Sequence, residues 1–191
     1  MTLHLTRTEA ERSVLAIIDV QERLLASMPP QDQAALVRSV RLLVDTAARL
    51  DVPVLVTEQY PKGLGRTVNV IESALANAKQ VTRLEKTCFD ACDLGDFRDA
   101  STGPRDHIVV AGMEAHICVL QTVRGLRARG RTVVVAADAT ASRNPDHRRL
   151  AEANWRAFGA RVEPAETVVF DWLRDAAHPA FRDVSRLLKD G

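Results

Sequence analysis

Three residues in this chain have side chains suited to covalent chemistry. They are the carboxylate of Asp19, the ammonium of Lys86 and the thiol of Cys118. A thiol is mostly protonated near neutral pH, and only the thiolate attacks a carbonyl carbon. A nearby carboxylate can take the thiol proton and later deliver it to a leaving group. An ammonium and a helix N-terminus both favour the anionic sulfur, and backbone N–H groups at a helix start can hold an oxyanion. Each residue also has a bland reading. A strand-end Asp forms turns or caps, a strand-end Lys is usually solvated, and a Cys among apolar neighbours is usually core.

The elements around them decide between these readings. "SVLAIID" is a continuous apolar run ending at Asp19, "QVTRLEK" ends at Lys86, and "DHIVVAGM" precedes Cys118 by a few residues. "VPVLVTE" and "TVVVAADA" are two further apolar strands, and "ARVEPAE" offers a short sixth. Between them lie helical patterns at 33–50, 67–78, 115–130 and 144–159, and the remaining C-terminal segments read as helical. In the first of these, Leu36, Val40, Leu43, Val44 and Ala47 share one face. "YPKGLGR" reads as a loop. Alternation of helices with continuously apolar strands predicts an α/β three-layer Rossmann-like fold, a mainly parallel six-stranded sheet with helices on both faces. Ligands of such sheets bind beyond the carboxyl ends of the strands, so the three reactive side chains are expected on one rim. Asp19, flanked by Ile18 and Val20, is expected to be partly buried and paired with Lys86.

Composition narrows the function. The 191 residues are 46% apolar and 27% charged with a net charge of +1. That is the profile of one globular domain with no nucleic-acid or membrane surface. Residues 1–12 read as a polar N-terminal tail and 13–191 as the single domain. No secretory leader or membrane span is read in the chain. Three cysteines fit a reducing, cytoplasmic setting. Dinucleotide, Walker and serine-elbow motifs are not found. The five histidines are dispersed, so no metal and no cofactor is expected. Cys88 and Cys92 are spaced CxxxC, unlike a CxxC redox pair.

Taken together, "DVQ" at 19–21, "EKTCF" around Lys86 and "GMEAHICV" around Cys118 resemble the isochorismatase-like cysteine hydrolases, from about Ser13 to about Val169. The resemblance implies a triad of Asp19, Lys86 and Cys118, and a cis peptide between Met113 and Glu114. It also implies an oxyanion hole from the backbone N–H groups of Glu114 and Cys118. A small-molecule amide or related C–N carbonyl substrate, a thioester intermediate and a homo-oligomer follow from it as expectations. The family's nicotinamidases hold a metal with histidines after the second strand. "TEQYPKGLGRTVNV" has none there, which turns the expectation away from a metal and from nicotinamide. True isochorismatases usually lack the cysteine nucleophile, so Cys118 argues against vinyl-ether cleavage. The cysteine turn most resembles a branch without a settled substrate.

Four further residues are candidates for the substrate pocket. Gln59 is expected near it. Gln21 either lines it or braces the Asp19 loop. His116 either lines its mouth or packs, and Leu24 is either a pocket wall or core. Trp155, Trp172, Phe170 and Phe181 supply either an oligomer interface or core. The competing functions are a non-catalytic interaction protein that kept the fold, and a thiol-redox protein using Cys88 and Cys92.

Overall fold

A computed structural model describes residues 7–190. Its centre is a six-stranded, all-parallel sheet in the order β3-β2-β1-β4-β5-β6. In chain order the strands are β1 (Ser13–Ile18), β2 (Val54–Gln59), β3 (Val81–Lys86), β4 (His107–Met113), β5 (Thr132–Ala141) and β6 (Arg161–Glu163). Every residue of β1 and β4 is buried, because helices cover both faces of a parallel sheet. That is why these strands read as continuous apolar runs.

The period of two is still present, and it sorts each strand between two cores. Leu15, Ile17, Val109 and Ala111 face one cluster, with Leu36, Val40, Leu43, Val44 and Ala47 of helix α2 (Pro30–Arg49). Val14, Ala16, Ile18, Ile108 and Val110 face the other, with Val123 and Leu126 of helix α6 (Leu120–Ala128) and Trp155 of helix α7 (Pro145–Ala157). The remaining helices are α1 (Glu22–Ala26), α3 (Pro61–Leu64), α4 (Asn69–Leu75), α5 (Gly95–Ala100), α8 (Ala165–Leu173) and α9 (Phe181–Asp190). Helix α3 is a single turn where a plain loop was expected. Its Pro61 is compatible with the first helical position, which has no intrahelical partner for an N–H.

The strand order reverses direction at β1: β2 and β3 lie to one side, β4, β5 and β6 to the other. A crevice forms at such a switch point, beyond the carboxyl ends of the two central strands. Gly112 lies near the carboxyl end of β4, beside the end of β1. It pairs with Ile18 across β1 and β4, has φ +126°, and a Cβ there would run into the Ile18 carbonyl. Only glycine lets the end of β4 lie this close to β1.

At the periphery the structure departs from one expectation and decides one open alternative. Residues 1–6 of the expected polar tail lie outside the described residues, but Thr8 and Ala10 are buried against the domain. Arg12 clamps this segment by donating to both oxygens of Asp106, at 2.9 and 2.6 Å. Trp155 and Trp172 are core rather than interface, at 0% and 2% exposure. The Trp172 indole N–H donates to Ser13 Oγ at 2.9 Å. Phe170 is exposed and stacks at an angle on Phe181. Among the described residues no helix is long and apolar enough to cross a membrane.

Candidate active site

Asp19 follows the last residue of β1 with φ +52°, a left-handed conformation that short polar side chains tolerate best after glycine. The residue is fully buried. Its two oxygens are used separately. Oδ1 accepts from Thr57 Oγ1 at 2.6 Å, and Oδ2 accepts from Lys86 Nζ at 2.7 Å. Lys86, the last residue of β3, also donates to Gln59 Oε1 at 2.7 Å and to the Cys88 carbonyl at 3.3 Å. The ammonium thus has three acceptors, the full number its hydrogens can serve. Burying two opposite charges is tolerable only with this degree of pairing.

Cys118 lies in a wide π-helical turn, Ala115–Val119, between β4 and α6. The Met113–Glu114 peptide that leads into it is cis. Cys118 is 5% exposed, and its thiol interacts with both Asp19 and Lys86. Burial and then the Asp19 charge push its pKa up to about 12, and Lys86 pulls against them. The cause of the imbalance is local: Lys86 is already neutralised by Asp19. At neutral pH the resting state is therefore a thiol beside an ion pair. Passing the thiol proton to Asp19 would leave thiolate beside ammonium, with no change in the net charge of the buried cluster.

A cleft of about 370 Å³ reaches this cluster at Lys86. Its walls are Tyr60, Pro61, Lys62, Glu85, Lys86, Thr87, Cys88 and Leu94. Cys118 is not itself one of its walls. Glu85 is tied to Arg66 at 2.6 Å, which also bonds Glu58 at 2.7 Å.

The candidate pocket residues separate. Gln59 belongs to the cluster through Lys86, and its Nε2 donates to the Thr87 carbonyl at 2.8 Å. Gln21 is fully buried and does not line the cleft. Its amide donates to the Gln59 and Gly65 carbonyls and accepts from the Gln59 N–H. It is a brace between the Asp19 loop and the end of β2. Leu24 packs against the core on the α2 side of the sheet, not in the cleft. His116 points into a different cleft, of about 190 Å³, with Leu120, His147, Leu150, Ala151 and Asn154. Its Nδ1 pairs with Ser142 Oγ at 2.9 Å, and its ring lies 4.7 Å from that of His147. Burial holds its imidazole below the usual histidine range.

Thr57 is the participant that sequence reasoning missed. A hydroxyl near the end of the apolar run "VPVLVTE" was the available signal, since a buried polar group needs a partner. Cys88 and Cys92 are both free. Cys88 is half-buried in the larger cleft. Cys92 is fully buried, and burial followed by the Asp90 charge pushes its thiol up to about 12.

A doubly wound parallel sheet with a buried thiol, carboxylate and ammonium gathered at its switch point defines the class: an α/β protein equipped for nucleophilic chemistry. The isochorismatase domain model matches residues 13–167, and the chain belongs to this isochorismatase-like hydrolase family. It is 33% identical over 186 residues to isochorismatase domain-containing protein 2A of Mus musculus, covering 97% of this chain and 87% of the relative. A solved structure named MAR1 ribonuclease, from Caenorhabditis elegans, superposes with a TM-score of 0.90 at 32% identity, covering 96% of this chain and 93% of that one. The YcaC protein of Escherichia coli, described as an octameric hydrolase of unknown specificity, shares the fold with a TM-score of 0.81 at 20% identity over 97% and 96% of the two chains.

Proposed function

We propose that this protein is a metal-independent cysteine hydrolase that cleaves a small amide or related C–N carbonyl compound through a thioester. The observation that carries this reading is the coupling of the Cys118 thiol to the buried Asp19–Lys86 pair beside a cleft. Asp19 takes the Sγ proton, and Lys86 passes from neutralising the carboxylate to neutralising the thiolate. The sulfur attacks the carbonyl carbon, and the oxyanion is received by the backbone N–H groups of Glu114 and Cys118. Protonated Asp19 gives its proton to the departing nitrogen as the C–N bond breaks. Asp19 then deprotonates a water that attacks the thioester, and the freed sulfur regains a proton.

Among the described residues no group of three or more His, Cys, Asp or Glu side chains is arranged to hold a metal ion. The cleft, about 370 Å³, lies in the size range of sites for small molecules. A homo-oligomer acting in the cytoplasm completes the proposal; the octameric E. coli relative supports the assembly.

Cleavage of RNA is the second reading, favoured by the name of the C. elegans relative. It needs cations free to meet phosphates; the cleft wall offers Lys62, while the Lys86 ammonium is engaged inside the cluster.

The test is an acid quench of the protein with activated amides and esters, followed by peptide mass spectrometry and an RNA-cleavage assay in parallel. An acyl adduct on Cys118, absent in Cys118→Ala, is expected. Hydrolysis that survives Cys118→Ala, or RNA cleavage that survives it, would overturn the proposal.

A further inference from the structure

The turn that carries Cys118 is gripped from outside the triad. Two of its side chains reach the same three-residue loop, residues 142–144, between β5 and α7. Glu114, only 5% exposed, accepts on Oε2 from the Arg143 backbone N–H at 3.0 Å and from Arg143 Nε at 3.1 Å. Two residues later, His116 Nδ1 pairs with Ser142 Oγ at 2.9 Å, and Ser142 is 1% exposed. The loop is itself fixed at both ends. Before it, Ala141 pairs with Met113 in the sheet. After it, Asn144 caps α7 by accepting from the Asp146 N–H at 2.9 Å. From the same helix His147 sets its ring at a tilt against the His116 ring, 4.7 Å away.

None of these contacts involves Asp19 or Lys86. Instead they fix Glu114 and His116, the start and the middle of the segment from Glu114 to Cys118, and the backbone N–H groups at the ends of that segment receive the oxyanion in the proposed mechanism. We infer that Ser142 and Arg143 are positioning residues. By clamping Glu114 and His116 to the β5–α7 loop, they hold the two oxyanion donors at one spacing. This inference rests on the cysteine-hydrolase reading and adds to it a loop whose hydrogen bonds, among the described residues, go to neither the nucleophile nor the base.

The chemistry separates this role from a general effect on the fold or on the thiol. Attack on a carbonyl builds charge on an oxygen that must be held. Alkylation by iodoacetamide displaces iodide from carbon and builds no such charge. A loosened clamp should therefore slow acyl transfer and leave alkylation alone. Displacement of the donors by about an ångström is enough to cost on the order of a hundredfold.

The experiment compares wild type with Ser142→Ala, Ser142→Thr, Arg143→Ala and the Ser142→Ala/Arg143→Ala pair. It measures kcat and KM on an activated acyl substrate, and separately the iodoacetamide alkylation rate of Cys118. Arg143→Ala keeps the backbone N–H contact and alters an exposed side chain, so it probes the clamp without threatening the fold. The expected result is a fall in kcat of about tenfold for each alanine variant and about a hundredfold for the pair, on the same positioning argument. KM and the alkylation rate should stay within about twofold, with activity restored in Ser142→Thr, which keeps the hydroxyl. An unchanged kcat in the pair, or kcat and alkylation falling together, would overturn the inference. If wild type itself forms no acyl adduct on Cys118, the cysteine-hydrolase reading fails first and the inference falls with it.

Discussion

Two buried thiols in this protein have nearly the same acidity and very different surroundings. Cys92 and Cys118 are both almost inaccessible, and burial pushes each up to about 12. Cys92 has the Asp90 charge beside it and donates weakly to the Thr122 carbonyl at 3.9 Å. The nearest opposing influence is the Arg129 guanidinium, which lowers its pKa only in part. Cys118 has a carboxylate and an ammonium together, already joined at 2.7 Å. Under the proposed mechanism, the difference teaches that resting acidity does not distinguish a structural thiol from a reactive one. What distinguishes them is a proton acceptor whose counter-charge can move to the sulfur.

The largest way to break the comparison is to remove its members one at a time. Cys118→Ala and Asp19→Asn should each lower kcat on an activated amide by about a thousandfold or more. Cys92→Ala should leave it within about twofold. Equal loss from both cysteines, measured by steady-state kinetics, would erase the distinction.

Next comes stability. Lys86→Met strands the Asp19 charge in the interior and should cost about 3–5 kcal/mol in urea unfolding. Arg129→Met, near Cys92 and with its side chain, among the described residues, hydrogen-bonded to the Gly125 carbonyl alone, should cost under about 1 kcal/mol. Lys86→Met matching Arg129→Met would mean the Asp19–Lys86 pair carries little of the strain of burial.

Two matched threonines sharpen the point. Thr57→Val leaves Asp19 Oδ1 without its donor and should cost about 1–3 kcal/mol, together with a fall in kcat of roughly tenfold. Thr122→Val removes an acceptor from the Ala91 N–H near Cys92. It should cost a similar amount of stability without touching kcat.

The smallest effect is shared by both thiols. An unfolded cysteine loses its proton near the ordinary value of 9, whereas these two hold theirs to about 12. Above pH 9 the unfolded chain binds fewer protons than the folded one. The thiol contribution is therefore intact below pH 9 and is lost as pH rises beyond it, by about 1.4 kcal/mol per pH unit for each thiol. Urea midpoints at pH 8 and pH 10 should show this loss, and Cys92→Ala and Cys118→Ala should each remove part of it.

Much of the architecture was legible in the chain. The continuous apolar runs of β1 and β4 foretold strands covered on both faces. The stripe Leu36, Val40, Leu43, Val44 and Ala47 foretold the buried side of α2. The ends of β1 and β3 were read at Asp19 and Lys86, and the structure brings these side chains together with Cys118. The finer environment was not legible. Gln21 turned out to be a buried brace, Leu24 core, and His116 a wall of a second cleft clamped to Ser142. Nothing in the local pattern of those residues separates these fates. The ion-pair network of Arg66 with buried Glu58 and exposed Glu85 was equally invisible, since its members come from a loop and two strands.

By itself the sequence determined what depends on near neighbours: which segments are strands, which faces are apolar, and which reactive residue closes which element. These follow from periods of two and 3.6 residues, and each is complete within a few residues. Tertiary structure alone decided partners. Asp19 meets Thr57 across 38 residues and Lys86 across 67, and Glu114 meets Arg143 across 29. Those distances close only when β2, β3, β4 and β5 take their places beside β1. The chemistry proposed for Cys118 rests on that order of strands, because a buried thiol becomes useful only where a movable counter-charge has been packed beside it.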